Sequence, residues 1–367
     1  MRGFAVMVMV IGHSVDSVLS AEARTTDFFG IYDFIRGFTA PLFLFVAGFS
    51  FLVATEKRWN EYQSFTHPLR KRLRKMLLLL VIGYALHFPF FSLNKVLHET
   101  TPEGYQQLFQ VDVLHCFAVS FLILQFLVFL SPTVKSFLRL LLGLTAGMVL
   151  ATPLVWNVDF SALLSPLVGP YFNQNQLSMF PLFPFAAFMF GGVFGGHLYL
   201  KARRTGSEVR YFKGLALAGL LAIVIGIVAD LHPLQVYPPH DFWKTSPNFY
   251  LIRLGVVLGI TASFYFARRL PKQLRSQLVV LGGSSLMVYV LHLVLVYGSA
   301  ANSGLGQMLG QSLPFAVAFA TGIGVLLLMI VTVYAWRYVS REYSSSLRMT
   351  QYAFVSLLLF LFMTNPY

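Results

Sequence analysis

The chain is a succession of apolar stretches, each about 20 residues long, separated by short turn-rich or charged breaks. An α-helix needs about that length to cross roughly 30 Å of hydrocarbon. About eleven stretches can be read, near residues 3–20, 28–54, 76–92, 111–131, 139–157, 179–200, 214–231, 249–267, 276–298, 313–336 and 349–364. Charged residues make up 11% of the chain, whereas an ordinary soluble domain carries about a quarter. A water-facing surface cannot be built from so few. The expected fold class is therefore all-α, a polytopic integral membrane protein of about 11 transmembrane helices with the lipid bilayer as its solvent. The breaks are too short to separate domains and no internal repeat stands out, so residues 1–367 read as a single membrane domain.

The formal net charge is +13. In a soluble protein that would suggest nucleic acid, but cytoplasmic loops of membrane proteins collect Lys and Arg, and no nucleic acid partner is expected. With the N-terminus in the cytoplasm, Arg2, the cations of 57–75, Lys135, Arg139, those of 201–213 and 268–275, and Arg337, Arg341 and Arg348 fall inside. Only Arg24, Lys95 and Lys244 fall outside, while Arg36 and Arg253 lie within the stretches themselves. One crossing more or fewer would scramble this segregation. A competing reading takes Arg2, the apolar run 4–11 and the small residues near 20–23 as a signal peptide, although His13 and Asp16 interrupt such a core. Cys116, the single cysteine, excludes an internal disulfide and a Cys-based zinc site, and reads as an inert buried thiol; no metal is expected.

An ionisable side chain at bilayer depth costs about 3 kcal/mol or more, so each is a candidate for function. His13, Asp16, Asp33, Arg36, His87, Asp112, His115, Asp230, Arg253 and His292 all fall at mid-depth or in the outer half of the expected spans. His13/Asp16, Asp33/Arg36 and Asp112/His115 are spaced i, i+3, which puts each pair on one helix face. The pattern predicts a wet polar chamber toward the outside, with Asp33, Arg36, Asp112, His115, Arg253 and His292 as substrate-binding residues. Plainer roles stand beside these: an interfacial ion pair for Asp33/Arg36, an N-terminal helix cap for Asp112/His115, an exposed helix end for Asp230, and hydrogen-bonded core histidines for His87 and His292. His13 is the leading catalytic candidate, because a neutral imidazole can take a proton from an attacking amine or hydroxyl. Asp16, one turn on, could orient that ring as the third member of a triad does. A histidine merely bonded between helices is the alternative.

Two further features carry weight. The basic run 68–75 offers Arg70, Lys71 and Arg74 to a polyphosphate such as coenzyme A or to anionic lipid headgroups, unless it serves only as a topogenic signal. Gly191-Gly192 and Gly195-Gly196 permit close helix contact, either within the chain or in a homodimer.

Arg2-Gly3 through Gly12-His13-Ser14 has an Arg, ten residues, His spacing, and Ala40-Pro41-Leu42-Phe43-Leu44-Phe45-Val46-Ala47-Gly48-Phe49-Ser50 follows it. Asp112-Val113-Leu114-His115, Phe180-Pro181-Leu182-Phe183-Pro184-Phe185, Thr245-Ser246-Pro247 to Arg253-Leu254-Gly255, and Ser284-Ser285-Leu286 to Tyr289-Val290-Leu291-His292 come next in order. With these segments the chain resembles the transmembrane acyltransferase superfamily, most closely bacterial proteins related to heparan-alpha-glucosaminide N-acetyltransferase, with acyltransferase-3 proteins as broader relatives. The acyltransferase-3 Arg-x-x-Arg pattern stands here as Lys71-x-x-Arg74. The resemblance implies a multi-pass protein of the bacterial inner (cytoplasmic) membrane, acyl transfer from a coenzyme A thioester, and a catalytic histidine in the first helix, at His13. The function expected is transfer of an acetyl or short acyl group from cytosolic acetyl-CoA to an amine or hydroxyl of an extracytoplasmic saccharide. A secondary transporter or lipid-linked glycan flippase would use the same charges to bind substrate or relay protons, and a scaffold or receptor would use them for no chemistry at all.

Overall fold

The computed structural model describes residues 1–175, 177–232, 237–300 and 302–365. The side chains of Arg269 and Arg348, counted above among the inward cations, lie outside the described residues. The long helices are α1 (Arg2–Val18), α2 (Asp27–Arg36), α3 (Thr39–Thr55), α4 (His67–Ala85), α5 (Val113–Leu130), α6 (Val134–Val155), α7 (Leu182–Arg204), α8 (Glu208–Leu231), α9 (Pro247–Phe266), α10 (Lys272–Gly283), α11 (Ser285–Tyr297), α12 (Phe315–Glu342) and α13 (Ser344–Thr364). Among the described residues the only paired strands are Gly298–Ser299 and Asn302–Ser303, an antiparallel pair of two residues each. The protein is a polytopic all-α membrane protein.

Every apolar stretch anticipated from the sequence is largely helical, but not every one meets the length and hydropathy of a crossing. Seven segments do: Asp27–Tyr62, which holds α2 and α3, then α5, α6, α7, α8, α9 and α12. The pair α10 and α11 makes an eighth if its bend is counted within one span. α1 has 17 residues, α4 opens in the basic run, and only Met349–Thr364 of α13 is apolar. Two stretches read as continuous are broken. Gly37 closes α2 by donating to the Asp33 carbonyl at 2.9 Å, and Pro41, which has no N–H to satisfy, sits in the first turn of α3. α10 and α11 meet at 76° across Ser284.

The chain forms two compact units, each described on its own. The first comprises residues 1–39, 86–108 and the segment from 270 onward. Within it α1 is central and packs on α12, α10 and α11. Val15, Val18, Leu19 and Ala318 are buried together, with Ile11, Tyr32 and Phe315 against them. The second unit comprises 40–85 and 109–269. Its helices touch through small residues: a Cβ at Gly219 would stand 2.6 Å from the Gly255 carbonyl oxygen, and one at Gly255 2.5 Å from that of Gly219. In lipid, where the apolar solvent gives no hydrophobic push, such backbone approach is what draws helices together. Gly192 likewise lies on the Phe45 carbonyl of α3, so this part of the glycine tract is used inside the unit. Leu217, Leu220 and Leu221 on α8 and Phe354, Leu357 and Phe360 on α13 face outward, as a lipid-facing surface requires.

Candidate functional site

α1 turns His13 and Asp16 to the same side, and each finds a different partner. The His13 ring meets His292 of α11 edge to edge, with centroids 5.1 Å apart and planes within 19° of parallel. Nδ1 of His13 and Nε2 of His292 are 2.9 Å apart, and Nδ1 of His292 lies 2.7 Å from the Val288 carbonyl oxygen. A carbonyl only accepts, so the His292 Nδ1 carries the hydrogen. In the neutral ring its Nε2 is then the lone-pair nitrogen and must accept from His13 Nδ1–H. The tautomer of His13 follows: Nδ1 holds the proton and Nε2 is left with the free lone pair. Among the described residues that nitrogen has no hydrogen-bond partner, and His13 is only partly buried, whereas His292 is fully buried. The Tyr297 ring meets His13 edge-on at 5.9 Å.

Asp16 does not orient the His13 ring as its spacing suggested. Its Oδ1 accepts from Arg24 Nη1 at 2.8 Å and lies 3.3 Å from Arg36 Nη1. Arg36 also reaches Asp33 Oδ1 through Nη2 at 2.6 Å and Nε at 3.1 Å. A guanidinium beside a carboxylate gains a charge-assisted bond that a neutral imidazole cannot match, so the two arginines take the aspartate. Two carboxylates and two guanidiniums thus form one balanced network on the His13 side of α1. Arg36 reaches it because residue 12 is glycine: a Cβ there would stand 3.1 Å from Arg36 Cδ. Arg24, Tyr297 and Tyr32 were not singled out from the sequence. Arg24 was counted as an outside cation, and two tyrosines in apolar runs give no signal.

The second unit holds the other candidates. Asp112 is the N-cap of α5; its Oδ1 accepts from Leu114 N at 2.8 Å and His115 N at 3.2 Å and pairs with His115 Nδ1 at 2.8 Å. Both side chains are buried, in the capping geometry that was the plainer expectation. The His115 ring fits because Gly83 has no side chain, and the Tyr84 ring meets it edge-on at 4.2 Å. Tyr84 and Tyr171 share a hydroxyl hydrogen bond of 2.9 Å. Burial, then that bond, push the Tyr171 phenol well above the ordinary tyrosine range, so it stays protonated. Arg253 lies over the Phe249 ring at 4.3 Å, with no carboxylate in salt-bridge reach among the described residues.

Arg70, Lys71 and Arg74 recur at helical spacing on one face of α4 and, with His67, Lys75 and Leu78, line an open groove. All three are exposed and none has a carboxylate within salt-bridge distance among the described residues. Such unpaired cations suit a phosphate-bearing ligand. The neighbouring Arg72, in the same basic run but not among the three offered to a phosphate, turns inward. It donates to Gln125 Oε1 and Thr55 Oγ1, each at 2.8 Å, and stacks over the Tyr62 ring at 3.6 Å.

No protein of curated function matches the chain. The family model described as an acyltransferase domain, that of the acyltransferase-3 family, matches residues 1–334, from α1 into α12. A match over so much of the chain, together with its long apolar helices, places the chain in that family as a membrane acyltransferase.

Proposed function

We propose that the protein moves an acetyl or other short acyl group from cytosolic acyl-CoA to an amine or hydroxyl of an extracytoplasmic saccharide, with His13 as the general base. The single observation that carries the reading is the fixed tautomer of His13, which leaves Nε2 able to accept a proton. The acceptor's N–H or O–H gives its proton to Nε2 as the nucleophilic atom attacks the thioester carbonyl. The new carbon–nitrogen or carbon–oxygen bond forms, the carbon–sulfur bond breaks, and the departing thiolate takes the proton back from His13. The charge on the imidazolium is shared through the bond to His292. The same lone pair would serve in an acyl-histidine intermediate, and both routes place the chemistry on Nε2. On the donor side, Arg70, Lys71 and Arg74 would hold the phosphates of coenzyme A. The segregation of Lys and Arg supports an N-terminus in the cytoplasm of a bacterial inner membrane, where the donor is made.

The test is acyl transfer by the purified protein in proteoliposomes loaded with radiolabelled acetyl-CoA. Wild type should consume the thioester and label an added saccharide, and His13→Ala should do neither. A His13→Ala protein that transfers at the wild-type rate rules out the assignment.

A further inference from the structure

Resting on the acyl-transfer reading above, we propose that the Tyr32 hydroxyl is the hydrogen-bond donor to the acyl carbonyl oxygen as negative charge develops on it beside His13. Tyr32 and Arg36 stand one turn apart on α2 and share a face, and that face lies on α1 at the residue preceding His13. A Cβ at Gly12 would stand 3.1 and 3.2 Å from Cδ and Cγ of Arg36 and 4.0 Å from the Tyr32 hydroxyl oxygen. The phenol ring is fixed from behind by Phe315, edge-on at 5.3 Å, and by Phe29 at 6.1 Å. Its hydroxyl is sealed from solvent and has no hydrogen-bond partner among the described residues.

A buried hydroxyl without an acceptor is uncommon and costly. It is also what an oxyanion donor must be before reaction: held in place, desolvated, and uncommitted. Arg36 fails that condition, and Arg24 meets it only at Nε, which is buried without a partner while its other two nitrogens are held. Arg36 is engaged by Asp16 and Asp33, and two of the Arg24 nitrogens by Asp16. The Tyr297 hydroxyl already donates to the His13 carbonyl at 3.4 Å. The donor role therefore falls to Tyr32, one turn before Arg36. In the step, the acceptor's proton goes to His13 Nε2, its lone pair forms the bond to carbon, and the carbonyl π pair moves to oxygen, where the Tyr32 O–H meets it. Collapse returns that pair to the carbonyl and expels the thiolate, which takes the proton from His13.

The experiment is Tyr32→Phe, which keeps the ring between Phe29 and Phe315 and deletes only the hydroxyl. Turnover of acetyl-CoA is read as free thiol released, and acetyl-CoA affinity by calorimetry on the same purified protein. The expected result is a kcat lower by about 10²–10³ with Kd and KM for acetyl-CoA unchanged within about twofold. A kcat within about threefold of wild type, or a loss explained entirely by weaker acetyl-CoA binding, overturns the inference. Should Tyr32→Phe not fold, a ring-fluorinated tyrosine at position 32 keeps the hydroxyl and makes it a stronger donor; a kcat that changes several-fold at constant KM supports the role, and an unchanged kcat overturns it. If wild type turns over acetyl-CoA, His13→Ala does not and Tyr32→Phe equals wild type, the inference alone falls. If wild type itself is inert toward acetyl-CoA, the acyl-transfer reading falls and takes the inference with it.

Discussion

Replacing His292 by Phe separates the orienting role of that residue from mere packing. The phenyl ring fills the place of the imidazole, whose centroid lies 5.1 Å from that of His13, but offers no acceptor to His13 Nδ1–H. Two consequences follow. The neutral ring loses the partner that holds its proton on Nδ1, a hydrogen bond worth about 0.5–1.5 kcal/mol net, and the imidazolium formed in the reaction loses a charge-assisted one worth about 1.5–3 kcal/mol. Only the excess of the second over the first, about 1–1.5 kcal/mol, is gained as charge develops, so that part acts on kcat. At about 1.4 kcal/mol per factor of ten, the expected fall in kcat is roughly 5- to 12-fold, with KM for acetyl-CoA little changed. The Val288 carbonyl, relieved of His292 Nδ1, remains within the backbone ladder of α11, so the variant should fold. Free thiol released from acetyl-CoA, measured over a substrate range on detergent-purified protein, gives both constants. A His292→Phe enzyme within twofold of wild type, while His13→Ala is inactive, would refute the relay and the tautomer argument built on it.

Asp16→Asn should leave kcat within about tenfold of wild type, because the aspartate bonds Arg24 and Arg36 rather than the catalytic ring; as these side chains are about 30% exposed, the loss of stability should be about 1 kcal/mol, visible as a lower melting temperature in detergent. Gly192→Ala forces a methyl group onto the Phe45 carbonyl, so α7 and α3 must separate; about 1–3 kcal/mol of destabilisation should appear in the same melt, and an unchanged midpoint would mean the two helices are not in register as described. Arg72→Lys keeps the charge but loses the fork to Gln125 and Thr55 and the stack on Tyr62; it should cost about 2 kcal/mol, whereas Arg70→Lys on the exposed face should melt like wild type.

Local spacing was informative wherever partners lie within one turn. Asp33 and Arg36 pair as i, i+3 neighbours, and Asp112 caps the helix that carries His115. Both contacts are decided by the 3.6-residue repeat and by the unpaired N–H groups at a helix start. Spacing misled for His13 and Asp16, which share a face yet bond elsewhere, because two guanidiniums outcompete a neutral imidazole for a carboxylate. The break at Ser284 was hidden for another reason: apolar residues continue on both sides of it, and hydropathy does not register backbone direction.

Length and hydropathy by themselves determined that this is a helical membrane protein, since only a helix satisfies its own backbone in lipid, and they marked His13 as an ionisable group too costly to be idle. The tertiary structure alone supplied its partner, His292, 279 residues away, and the unpartnered hydroxyl of Tyr32. Helices apolar on every side carry no stripe to say which faces meet; that choice is made by close packing of small residues, such as Gly3 of α1 on the Leu278 backbone far along the chain, and through that choice the proton on His13 is placed.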